Sequence, residues 1–86
     1  MYKVTVKKSA AKSITKLPKN VSNRLIPSIK QLAQDPRPPG SKKLQGAEDL
    51  WRIRVGNYRV LYAIEDTIMI VDVVQVAHRK DIYRKK

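Results

Sequence analysis

The chain has 86 residues and no cysteine, which allows one domain over residues 1–86 with a modest core and excludes a disulfide framework or a thiolate metal site. Nineteen Lys and Arg stand against seven Asp and Glu, a formal net charge of +12; a field of that sign favours polyanions, whether nucleic acid, an acidic protein or anionic lipid, the last least because no long basic amphipathic helix is present. No window reaches the roughly 18 apolar residues of a membrane span, and the first residues hold no apolar stretch long enough for a signal peptide, so a cytoplasmic protein with no membrane partner is expected.

Residues 2–7 alternate, with Tyr2, Val4 and Val6 against Lys3, Thr5 and Lys7. That period of two predicts a half-buried strand. Ser9 is placed to cap a short helix, in which Ala10, Ile14 and Leu17 recur at helical spacing until Leu17–Pro18 ends the run. A second helix starts near Lys19 or Asn20, with Val21, Leu25, Ile29, Leu32 and Ala33 as its apolar stripe. Pro27 falls inside that pattern and predicts a kink. Asp35–Pro36 stops the helix, and the two helices make an antiparallel hairpin.

Residues 35–47, DPRPPGSKKLQGA, hold three prolines and two glycines and read as a loop. Beyond Asp49 the chain reads as strands. Trp51, Ile53 and Val55 alternate with Arg52 and Arg54. Gly56–Asn57 is a two-residue hairpin turn. Tyr58, Val60, Tyr62 and Ile64 then alternate with Arg59, Leu61 and Ala63. A turn at 65–67 leads into 68–77, an almost continuous apolar strand interior to the sheet. Residues 79–86 form a short basic tail. The order β-α-α-β-β-β predicts an α+β fold, a helical hairpin on one face of a mainly antiparallel four-stranded sheet.

The hairpin fixes a register. With Gly56 and Asn57 as turn residues, Val55 pairs with Tyr58, Arg54 with Arg59, and Ile53 with Val60. Trp51, Ile53, Val55, Tyr58, Val60, Tyr62 and Ile64 then share the core face, and Arg52, Arg54 and Arg59 share the other. Like charges directly opposite each other destabilise a sheet, so folding does not ask for this pairing. A phosphate-bearing ligand held by guanidinium forks accounts for it. The competing account is a solvated basic face, with Asp72, placed across from Leu61 and near Arg52, as a neutralising carboxylate.

Residues 43–64, KLQGAEDLWRIRVGNYRVLYAI, carry a Lys-Leu-x-Gly approach, an aromatic-Arg-x-Arg strand, a Gly turn and Tyr-Arg-x-x-Tyr. Residues 76–83, VAHRKDIY, close the chain as Val-x-His-Arg-x-x-x-Tyr. In this order the motifs resemble the RelE/ParE toxin superfamily of type II toxin–antitoxin systems, over essentially the whole chain. The resemblance implies a RelE-like mRNA interferase. Such a toxin is a metal-independent endoribonuclease that enters the ribosomal A site and cuts the mRNA there. It is held inactive by a cognate acidic antitoxin, through which the complex also reaches operator DNA. ParE-type members share the fold and poison DNA gyrase. A third alternative is a non-catalytic basic module that binds only antitoxin and nucleic acid.

Carried over by position, the resemblance implies catalytic roles for Arg52, Arg54, Arg59, Arg79 and Tyr83. It departs at 52 and 54, where the best-known ribonucleases have lysine; arginine keeps the charge but does not give up a proton. The implied reaction is attack of a ribose 2′-hydroxyl on the adjacent phosphate, leaving a 2′,3′-cyclic phosphate and a 5′-hydroxyl. The nucleophile belongs to the substrate, so the protein supplies charge, a base and an acid. His78 is the single histidine and a candidate for proton transfer; the alternative for it is a hydrogen-bonded strand-end residue. Tyr83 is placed to stack on a base or move a proton, or else to pack the tail. Lys42, Lys43, Lys80 and Arg84 are candidate contacts to the RNA backbone. No cofactor is expected, since neither a His-x-x-x-His pattern nor a paired carboxylate stands out for a metal.

Overall fold

The computed structural model describes residues 1–44, 46, 49–78 and 80. Strand β1 (Lys3–Val6) leads into helix α1 (Lys8–Thr15) and helix α2 (Lys19–Gln31); β2 (Lys42–Lys43), β3 (Leu50–Val55), β4 (Tyr58–Glu65) and β5 (Ile70–His78) follow. The strands form one sheet in the order β1-β5-β4-β3-β2. All neighbours are antiparallel except β1 and β5, whose parallel pairing is made possible by the long crossover between them, both helices and β2 to β4.

The α+β class and the element order agree with the sequence, but the described residues form a sheet of five strands rather than four. The added strand is β2, inside the expected loop. Lys42 pairs with Arg52 and Lys43 with Trp51, and the Leu44 N–H donates to the Leu50 carbonyl at 2.9 Å. Two residues between prolines and glycines show no alternating pattern, so only the β3 edge reveals the strand.

Both helices lay their apolar stripe on the sheet. Ala10, Leu25, Ile29 and Leu32 join Ile53, Val60, Tyr62, Ile64, Val71, Val73 and Val76 in one buried cluster, with Ile14, Leu17, Val21, Trp51 and Tyr58 at its margin. The helix starts differ from expectation. Ser9 is not a cap: Lys7 holds that position without a side-chain hydrogen bond. The Lys7 N–H still donates to Val73 in the sheet, while its carbonyl already accepts from Ala11, so the helix begins as the strand ends and Ser9 falls within its first turn. Helix α2 runs unbroken through Pro27. No helix among the described residues is long and apolar enough to cross a membrane.

The β3–β4 register is the expected one, with Val55 opposite Tyr58, Arg54 opposite Arg59 and Ile53 opposite Val60. Gly56 has φ +61°, the value that the first central residue of a II′ hairpin turn requires and glycine adopts without strain. Strand β5 starts at Ile70 rather than Ile68, because the Met69 N–H closes a turn onto Asp66 at 3.3 Å.

Candidate nucleic-acid interface

Alternation along β3 and β4 divides the sheet into two faces. Ile53, Val60 and Tyr62 point into the core under the helices, so Arg52, Arg54 and Arg59 project from the opposite face. Directly paired residues share a face. Lys42, opposite Arg52, therefore joins the arginines, whereas Lys43, opposite Trp51, points to the helix side. One cross-strand row runs Lys42, Arg52, Leu61, Gln75; the next runs Arg54, Arg59, Ala77. Four cations thus stand in adjacent rows of one face. Arg54 is exposed and Arg59 half-buried. The Arg54 Nε donates to the Gly56 carbonyl at 3.2 Å, which ties that side chain to the hairpin, and the Arg59 Nε is removed from solvent.

Asp72 shares the open face with this cluster but stands one row beyond Arg52, not across from Leu61. A bulge at Leu61/Tyr62 shifts the β4–β5 register, so that Gln75 lies opposite Leu61 and Asp72 opposite Ala63. Asp72 pairs with Lys7 at 3.0 Å and accepts from the Thr5 hydroxyl at 2.9 Å. An extra residue in one strand leaves no mark in an apolar run such as IVDVVQVAH.

His78 is not brought to the arginines. It pairs with Tyr58, its ring edge-on to the Tyr58 ring with centroids 5.3 Å apart, while Ala77 is the residue opposite Arg59. Its Nδ1 accepts from the Lys80 N–H at 3.2 Å; Lys80 itself is exposed. Arg79, Tyr83 and Arg84 lie outside the described residues.

A second polar group, absent from the sequence-based candidates, fixes the segment that carries Lys42. Arg37 grips Asp66 with both guanidinium nitrogens, at 3.3 and 2.8 Å, and lies over the Trp51 ring, 5.1 Å from its centroid. The Tyr2 hydroxyl donates to the same carboxylate at 2.6 Å. Behind them the Tyr62 hydroxyl donates to the Pro36 carbonyl at 2.8 Å. The partners are 29 and 64 residues apart, so no local motif announces them. Hydrogen bonds from Arg37, then Tyr2, hold the Asp66 carboxyl below its ordinary value, and the bond to Asp66 raises the Tyr2 phenol. A depressed carboxylate stabilises the fold above its unfolded value of about 3.9, and that contribution is lost as pH falls through the lower folded value. The thermal midpoint of wild type should therefore exceed that of Asp66→Asn at neutral pH, with the gap closing in acid. An unchanged gap in acid would assign the difference to something other than this carboxylate.

A helical hairpin on one face of a sheet, with four cations in adjacent rows of the other, defines a small α+β domain with a strongly basic face. A family model described as the ParE toxin of the type II toxin–antitoxin system parDE matches residues 4–83. The chain is 31% identical over 86 residues to a putative RelE-like toxin protein of Escherichia coli, covering 95% of this chain and 90% of the relative. It is 30% identical over 84 residues to toxin RelE of Mycobacterium tuberculosis, covering 96% and 87%. The fold superposes on the archaeal RelE–RelB complex from Pyrococcus horikoshii with a TM-score of 0.82 at 28% identity, over 93% of this chain and 97% of that one. The chain belongs to the RelE/ParE superfamily of type II toxin–antitoxin toxins.

Proposed function

We propose that this toxin is a ribosome-dependent endoribonuclease that cuts mRNA in the A site through its arginine face. The observation that carries the proposal is the pairing of Arg54 with Arg59 beside Arg52 and Lys42. Folding gains nothing from adjacent like charges, whereas a phosphorane gains from every cation aimed at its oxygens. The reacting 2′-hydroxyl comes with the RNA, so an open sheet face suffices once the ribosome orients the substrate. The RelE names of the two relatives above support this branch. His78, on the other side of the strand from Arg59, takes no part in our scheme.

The protein would be restrained by an acidic antitoxin, as the RelE of the P. horikoshii complex is found with RelB. Such a partner answers the +12 charge and brings the pair to operator DNA. Co-expression with the adjacent acidic reading frame should yield a co-purifying complex, and failure to do so would remove the antitoxin from the scheme.

The decisive experiment maps cleavage on ribosomes programmed with a start codon and an empty A site. A cut within the A-site codon, leaving a 2′,3′-cyclic phosphate, is expected. A second reading rests on the matching family model, which is a ParE one: inhibition of DNA gyrase, with the arginine face uninvolved. Growth arrest by a folded protein that cuts no mRNA, with or without ribosomes, would establish that reading instead.

A further inference from the structure

We propose that Lys42 is the general acid of the cleavage, donating a proton to the leaving 5′-oxygen; this rests on the ribonuclease function proposed above. Arg52 and Arg54 stabilise charge, but a guanidinium does not release its proton under working conditions, so the face needs another side chain for that step. Among the described residues, the two rows that hold the arginines also contain Leu61, Gln75, Ala77 and Lys42, and of these only an amine exchanges protons; Asp72, one row beyond Arg52 on the same face, is engaged by Lys7 and Thr5. Pairing with Arg52 sets the Lys42 Cβ roughly 5 Å from its cross-strand neighbour, within a side chain's reach of a phosphate gripped by Arg52 and Arg54. Lys43 is turned away toward Trp51, and His78 is paired with Tyr58.

The position of Lys42 is built rather than incidental. Its strand is two residues long, yet each side is secured: the Ser41 N–H donates to Pro38 at 2.9 Å, and the Leu44 N–H donates to Leu50 at 2.9 Å. Upstream, Pro36 and Arg37 are anchored on Tyr62 and Asp66. A loop rich in proline, pinned to the rest of the fold at Pro36, Arg37 and Leu44, holds one lysine against the arginine row.

In the reaction, the substrate 2′-oxygen forms the new bond to phosphorus and loses its proton to water. The bond from phosphorus to the 5′-oxygen breaks, and the departing electron pair takes a proton from the Lys42 ammonium. The products are the 2′,3′-cyclic phosphate, the 5′-hydroxyl and a neutral amine that regains its proton from water, so atoms and charge balance without a metal or cofactor.

The test compares wild type with Lys42→Arg at saturating toxin on programmed ribosomes, with folding checked by circular dichroism. Lys42→Arg keeps the charge and removes the exchangeable proton. Two mRNAs are used, one ordinary and one with sulfur in place of the scissile 5′-oxygen; a thiolate leaves without a proton. On ordinary mRNA the variant should lose on the order of 100-fold or more in rate, without a matching rise in the half-saturating concentration. On the sulfur-bridged mRNA its rate should return close to that of wild type. An equal deficit on both substrates would reduce Lys42 to a positioning residue and overturn the proposal, as would a wild-type rate on ordinary mRNA. If wild type itself cuts neither mRNA, the ribonuclease function fails, and the general acid with it.

Discussion

Replacing Arg59 with glutamine is expected to slow cleavage on programmed ribosomes by about 100- to 1,000-fold, the usual cost of removing one well-placed donor from a developing oxyanion. Arg59 sits on β4, with β3 on one side and β5 on the other. It is half-buried, which strengthens its field at the phosphate relative to a solvated surface charge. Glutamine keeps most of the stem and removes the charge, so lost packing contributes little. The neighbouring Arg54→Gln should lose activity in the same direction yet melt no lower than wild type. Arg54 is exposed and faces a like charge, and relieving such a cross-strand clash is worth about 0.2–1 kcal/mol. Higher stability with lower activity is the signature of charges kept for a ligand. An Arg54→Gln protein with a clearly lower midpoint and full cleavage would mean that the arginines serve the fold instead.

The features of this chain that alternate or recur were legible in its sequence. The amphipathic stripes of α1 and α2 placed Ala10, Leu25, Ile29 and Leu32 in the core, and Gly56–Asn57 fixed the β3–β4 register down to Arg54 opposite Arg59. Three things were hidden for identifiable reasons. Strand β2 is too short to alternate, so the membership of Lys42 in the arginine face depended on a pairing that only the folded sheet provides. The bulge opposite Leu61 and Tyr62 set Asp72 across from Ala63 rather than Leu61, one row beyond Arg52 on the same face, and an apolar strand does not show which residue is extra. His78 shared a sequence motif with the arginines, but a one-residue step along β5 separates Ala77, on their face, from His78, on the other. Nearness in sequence carried the motif; the period of the strand decided the face.

Tyr62 links the core to the site, and Tyr62→Phe tests that link. The side chain is fully buried and its hydroxyl donates to the Pro36 carbonyl at the start of the segment that carries Lys42. Burial pushes the phenol up to about 12. The folded state therefore holds the neutral phenol where an unfolded tyrosine, at about 10, has begun to ionise. The stabilisation is complete below pH 10 and is lost as pH rises toward the folded value, on the order of 2 to 3 kcal/mol in all. Phenylalanine fills the same core volume and does not titrate. Near neutrality Tyr62→Phe should lose about 1–3 kcal/mol in urea denaturation, since a buried carbonyl is deprived of its donor. Between pH 10 and 12 wild type should fall toward the variant, whose stability declines less steeply. Because the broken bond frees Pro36 rather than the arginine strands, the variant should bind programmed ribosomes as wild type does and cut more slowly, with Lys42 less firmly held. Equal stability of the two proteins near neutrality would sink the hydrogen bond as an anchor. Unchanged cleavage by a destabilised variant would show that β2 stays in register through its pairing with β3 alone.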